Sequence, residues 1–118
     1  MPGKIDNKYG YINIDDTVIA TIAGSAAMEC YGLVGMASRN ATEGLVELLR
    51  RENLTKGVRV HTEGEDVVVD LYIVVEFGTK ISVVANNIIE RVKYTVEDLT
   101  GMRVQKVNIN VQGVRVQK

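Results

Sequence analysis

The chain has 118 residues, 46% of them hydrophobic and 25% charged, with a formal net charge of −1. That length implies a single domain over residues 1–118, able to bury a core without staples, and the composition excludes disordered and fibrous classes. A charge so near zero gives no whole-molecule field for nucleic acid or anionic lipid.

One cysteine, Cys30, forms no intramolecular disulfide. Residues 1–11 lack the charged-then-apolar pattern of a secretory leader. No apolar run approaches the roughly 20 residues of a spanning helix. The expected compartment is therefore the cytoplasm, and the sequons at Asn40 and Asn53 read as chance.

In chain order, Tyr9 to Ile14 alternates as a short strand. Asp15, Asp16 and Thr17 supply capping oxygens for a helix whose apolar face is Val18, Ile22, Ala26 and Cys30 with Ile19 and Ala23 beside them, and whose opposite side carries Thr21, Gly24 and Ser25. Gly24, Ser25, Ala26 and Ala27 are small, which predicts close packing against a sheet or second helix. Gly32 suits its C′ position. Leu33 to Ser38 reads as a second strand. Thr42 is a fair N-cap for a short helix bearing Leu45, Leu48 and Leu49, with Arg50 and Arg51 in its last turn. Gly57 closes that segment, and Val58 and Val60 alternate with Arg59 and His61 in a third strand.

The polar turn Glu63-Gly64-Glu65-Asp66 predicts a hairpin into the clearest strand, Val67 to Phe77. Val67, Val69, Leu71, Ile73, Val75 and Phe77 share its core face. The other face carries Val68, Asp70, Tyr72, Val74 and Glu76, half apolar and open to solvent or a partner. After Gly78, with Thr79 or Ser82 as cap, Ile81, Val84, Ala85, Ile88, Ile89, Val92, Val96 and Leu99 keep helical period. Lys93 and Glu97 form an i,i+4 pair on its exposed side, and Gly101 is its C′ residue. Val107, Ile109 and Val111 alternate in a last strand, and the phase slip at Gly113 predicts a bulge. The fold class is α+β. A mixed sheet of about five strands carries two main helices on one face, in the order β-α-β-(α)-β-β-α-β.

The search for chemistry is negative. His61 and Cys30 lie on different elements without metal-ligand spacing. His61 reads as a residue of the sheet's polar face, and Cys30 as an inert thiol on the apolar stripe. No GxSxG, Walker loop or GxGxxG occurs. Asp70 and Glu76 share a strand face, where solvated or interfacial carboxylates are the ordinary reading rather than an acid–base pair. No catalytic, metal or cofactor-binding residue is assigned, and no cofactor is expected. From Arg103 to Lys118 the only charged residues are Arg103, Lys106, Arg115 and Lys118, a segment charge of +4. No aromatic side chain there offers a stacking platform and no GXXG clamp is present, so direct nucleic-acid binding is not expected.

Two stretches, Gly10-Tyr11-Ile12-Asn13-Ile14 and Val18 to Ala27, followed by Tyr31-Gly32-Leu33-Val34-Gly35-Met36, resemble the opening of alkaline-shock (envelope stress response) proteins. Gly57-Val58-Arg59-Val60, Val69 to Gly78, and Thr100-Gly101-Met102 with Val107 to Val114 are similar to that family's middle strand, central strand and closing elements. The resemblance runs over nearly the whole chain. Ser82 stands where many relatives carry a helix-starting proline, and the long charged tails of some relatives are absent.

The resemblance implies a Gram-positive stress protein linked to the cell envelope, with no established catalytic residues. The half-apolar face with Val68, Tyr72 and Val74 and the long terminal edge strand motivate a self-associating scaffold or adaptor, and the resemblance implies that it is held near the membrane through a separate anchor protein. The alternative is an accessory subunit of a dihydroxyacetone-kinase-like enzyme. The expected partner surface is Val68, Asp70, Tyr72, Val74 and Glu76.

Overall fold

The alternation read over Val67 to Phe77 builds the centre of the molecule. In the computed structural model, which describes residues 3–37 and 55–116, the strands are β1 (Gly3–Asn7), β2 (Gly10–Ile14), β3 (Leu33–Met36), β4 (Val58–Glu63), β5 (Asp66–Glu76) and β6 (Arg103–Arg115). The helices are α1 (Asp16–Met28) and α2 (Ile81–Thr100). The readings for Ser38, Thr42, Leu45, Leu48, Leu49, Arg50, Arg51 and both sequons fall outside the described residues.

Among the described residues β5 is the one interior strand of the main sheet. Along one edge it pairs in parallel with β6, from Asp66↔Arg103 to Glu76↔Arg115. A parallel neighbour needs a crossover, and α2 supplies it. Along the other edge β4 and β3 follow one another, both antiparallel: β4 covers Asp66 to Leu71 and β3 covers Ile73 to Val75. The mixed sheet is thus four-stranded but only three strands wide. The slip predicted at Gly113 is present, with Ile73 opposite Val111 and Val74 opposite Gly113. A second slip lies between Val104 and Lys106.

The core face of β5 holds Val67, Val69, Leu71, Ile73 and Val75, all buried. Phe77 does not join them. The strand ends at Glu76, Gly78 turns the chain at φ +95°, and Phe77 is 67% exposed. Periodicity carries no information about where the backbone leaves the sheet.

Helix α2 buries Val84, Ile88, Val92 and Val96, while Ala85 and Ile89 are half-buried. Ile81 and Leu99 are exposed. At 100° per residue both lie about 60° round from Val84, mid-stripe, so their phase is correct. They sit in the end turns of a 20-residue helix, beyond the layer beneath it. Neither Thr79 nor Ser82 is the cap: Lys80 occupies that position without a side-chain bond, and the Thr79 hydroxyl donates to the Glu76 carbonyl at 2.7 Å. Gly101 ends the helix at φ +76°, as read.

Helix α1 is capped by Asp15, whose carboxylate accepts from the Thr17 N–H at 3.0 Å and from the Thr17 hydroxyl. Its buried residues are Ile19, Ala20, Ala23, Gly24, Ala26 and Ala27. Ile19, Ala23 and Ala26 are on the buried side as expected, but the buried face is turned from the one expected toward Ala20, Gly24 and Ala27 and away from Val18, Ile22 and Cys30. Val18 is exposed, and Ile22 and Cys30 are half-buried. The small residues win because they let α1 lie close against α2 and the sheet, so the larger side chains fall to the margin. The helix stops at Met28, before Gly32, which lies in the following turn at φ +87°.

Strand β1 was not anticipated, because Gly-Lys-Ile-Asp-Asn holds one apolar residue. It pairs with β2 as a separate antiparallel hairpin, so β2 is not part of the main sheet. The hairpin is tied to the body by the Lys4 N–H to the Gly64 carbonyl at 3.1 Å, and by Ile5 and Ile14 at the margin of the core.

Candidate interaction surface

Both helices cover one face of the sheet, so the alternate residues of three strands form the other. The registers place Glu63, Asp66 and Arg103 in a row across it. Next come His61, Val68 and Lys106, then Arg59, Asp70 and Asn108. Tyr72 and Asn110 follow, then Gly35, Val74 and Gly113, and last Glu76 and Arg115.

Polar contacts set this surface in order. The Arg103 guanidinium meets Asp66 at 2.6 Å, and that bond and charge raise its pKa above the usual guanidinium value. The Asn108 amide donates to Asp70 at 2.7 Å, which fixes the carboxylate against β6. Of the five residues expected as a partner surface, Val68, Asp70, Tyr72 and Glu76 are half-buried. Val74 is 3% exposed, between Gly35 and Gly113, so it lends little apolar area. The alternation of β5 cannot show this, because it depends on neighbours from two other strands.

The arrangement bears on chemistry through distance. Asp70 and Glu76 are six residues apart on one strand, about 20 Å at 3.3 Å per residue. They cannot flank a common reacting atom. His61 is exposed and faces Val68 across the ladder. Cys30 lies beyond the end of α1, its thiol 3.7 Å from the Ala26 carbonyl. Burial pushes that thiol's pKa up against the opposing pull of Arg91, which keeps it protonated and a poor nucleophile at neutral pH. Among the described residues no three His, Cys, Asp or Glu side chains converge as metal ligands.

Periodicity also did not show which apolar groups stay exposed at the ends and margins of the elements. Tyr9, Tyr11 and Ile12 are exposed on the β1–β2 hairpin. Tyr31, Phe77 and Val83 are exposed around the turns at Gly32 and Gly78, and Tyr31 and Val83 line a concavity of about 300 Å³ there. A second concavity of about 450 Å³ is lined by Asp16, Lys56 and Arg59 among others.

Comparison with known proteins places the chain in a family. Residues 4–116 match the alkaline shock protein 23 family, described as having a cell envelope-related function. A Bacillus subtilis relative, YloU, is 54% identical over 117 residues, covering 98% of each chain. The Streptococcus pyogenes protein Spy1614 is 44% identical over 98% of this chain and 97% of its own. A Streptococcus pyogenes stress response regulator gls24 homolog is 28% identical over 92% of this chain and 61% of its own. The chain belongs to the alkaline shock protein 23 family.

Proposed function

We propose that this family member is a non-catalytic scaffold or adaptor of the stress response, working by self-association and partner binding at or near the cell envelope. The family's cell envelope-related function and the stress-regulator name of the gls24 homolog support the setting. The observation that carries the reading is the sheet face turned away from both helices, where Val68 and Tyr72 lie half-buried on either side of Asp70. The separation of Asp70 and Glu76 by about 20 Å of strand and the protonated Cys30 support binding rather than catalysis. Among the described residues no helix is long and apolar enough to cross a membrane, and attachment through an anchor protein fits that.

The size of the face sets the strength expected. Eleven residues of β5 give about 35 Å of length, and three strands about 14 Å of width. That is roughly 500 Å² per copy, below the ~800 Å² per partner of a stable interface. Self-association is therefore weak and concentration-dependent. Light scattering after size exclusion, at protein concentrations up to hundreds of micromolar, tests it. The expected result is a mass that rises with loading and returns to monomer in Tyr72→Asp, with thermal stability retained. A wild-type chain that stays strictly monomeric over that range sinks the proposal.

A further inference from the structure

Strand β6 runs from Arg103 to Arg115, and among the described residues it pairs only with β5. Its far side is an edge, a row of backbone donors and acceptors that an extended chain can join. At the start of the strand this edge is already occupied. The Glu97 carboxylate accepts from the Val104 N–H at 3.0 Å, and the Lys93 ammonium donates to the Val104 carbonyl at 3.4 Å. Helix α2 thus closes the edge at Val104 with one side chain of each sign. Beyond it, no other side chain among the described residues bonds to the backbone of 106–115.

Two further properties single out the open stretch. On its core side Ile109 and Val111 are only half-buried and Val114 is 48% exposed, so apolar surface remains for a neighbouring strand to cover. Its charge is of one sign: Lys106 and Arg115 with no acid between them. A second copy of β6 is a poor neighbour. It would bring a second Lys106 and Arg115 to the seam with no acid on either strand to pair them, and like charges brought together destabilise a ladder. The same cations that keep copies apart attract an acidic strand.

We propose that the β6 edge between Lys106 and Arg115 recruits an acidic, extended segment of a partner protein by strand addition. The inference rests on the adaptor reading above and names the chemistry of its partner. Main-chain bonds along β6 supply the affinity. Alternate acidic side chains of the incoming strand meet Lys106 and Arg115, and its apolar side chains cover Ile109, Val111 and Val114.

The test uses the full chain and three fluorescent synthetic peptides of about ten residues, a common strand length. One alternates Glu and Val, one replaces Glu by Lys, and one is the Glu peptide N-methylated at every second amide so that one edge cannot bond. The expected result is binding of the Glu peptide at least about tenfold tighter than either counterpart. Amide exchange should slow within 106–115 when it binds, and Lys106→Glu with Arg115→Glu should reverse the preference toward the Lys peptide. Equal binding by the N-methylated peptide, no binding of the Glu peptide at millimolar concentration, or protection confined to the Tyr72 face would each overturn the proposal. The same preparations examined by light scattering separate the two readings. Peptide binding by a strictly monomeric chain upholds strand addition while ending the self-association reading. Self-association without peptide binding does the opposite.

Discussion

The turn between α1 and β3 offers a sharp test of the packing. Gly32 sits at φ +87°, and a Cβ built there would lie 2.6 Å from Cγ2 of Val84 on α2. Replacing it with alanine costs about 1–2 kcal/mol for the left-handed backbone, partly offset by about 0.4–1 kcal/mol from a stiffer unfolded chain. The clash adds roughly 1–3 kcal/mol, because Val84 is 4% exposed and cannot swing into solvent. The expected loss is about 3 kcal/mol, a fall in melting temperature near 12 °C at ~2.1 cal/mol/K per residue. Urea unfolding of Gly32→Ala, Val84→Ala and the double variant measures it. Removing both Val84 methyls leaves Thr79 Cγ2 as the nearest neighbour at 3.5 Å, an ordinary contact. In that background Gly32→Ala should cost only about 1 kcal/mol, a coupling near 2 kcal/mol. Additivity of the two changes within about 0.5 kcal/mol would refute the contact as the cause.

Helix α2 supplies a contrast between residues of equal sequence phase. Ile88→Ala should cost about 2–5 kcal/mol in urea unfolding, whereas Leu99→Ala, on a residue 66% exposed, should stay within about 0.5 kcal/mol. The cap of α1 predicts a pH effect. The bonds from Thr17 hold the Asp15 carboxyl below the usual carboxylate range, so its contribution is present above the unfolded-state pKa and fades as pH falls through the folded one. Asp15→Asn keeps an acceptor at the cap without a titrating group. Its helicity by circular dichroism should therefore decline less than that of the wild type between neutral and strongly acidic pH.

Most of the fold was legible because the long elements have long, regular patterns. Strand β5 and helix α2 each repeat their period enough times to leave one reading, and the slip at Gly113 announced its own bulge. The errors have a common physical form. The stripe on α1 was placed by side-chain size, but close approach is governed by the smallest residues, so Ala20, Gly24 and Ala27 went inside ahead of Val18. Phe77, Ile81 and Leu99 have the right phase and lie past the end of the layer. Strand β1 exists because β2 needs a partner, a non-local cause that five mostly polar residues cannot reveal. The candidate surface was read from the alternation of β5, and four of its five residues are half-buried. Val74 escaped that reading because its surroundings come from β3 and β6.

Among the described residues of the main sheet every strand except β5 has a side open to departure: β3, β4 and β6 can each peel away while the others stay joined to β5. Local opening therefore has a built-in hierarchy, with the hydrogen-bonded amides of β5 released last and only with the whole molecule. A chain organised this way can loosen one flank to accommodate a guest without surrendering its centre.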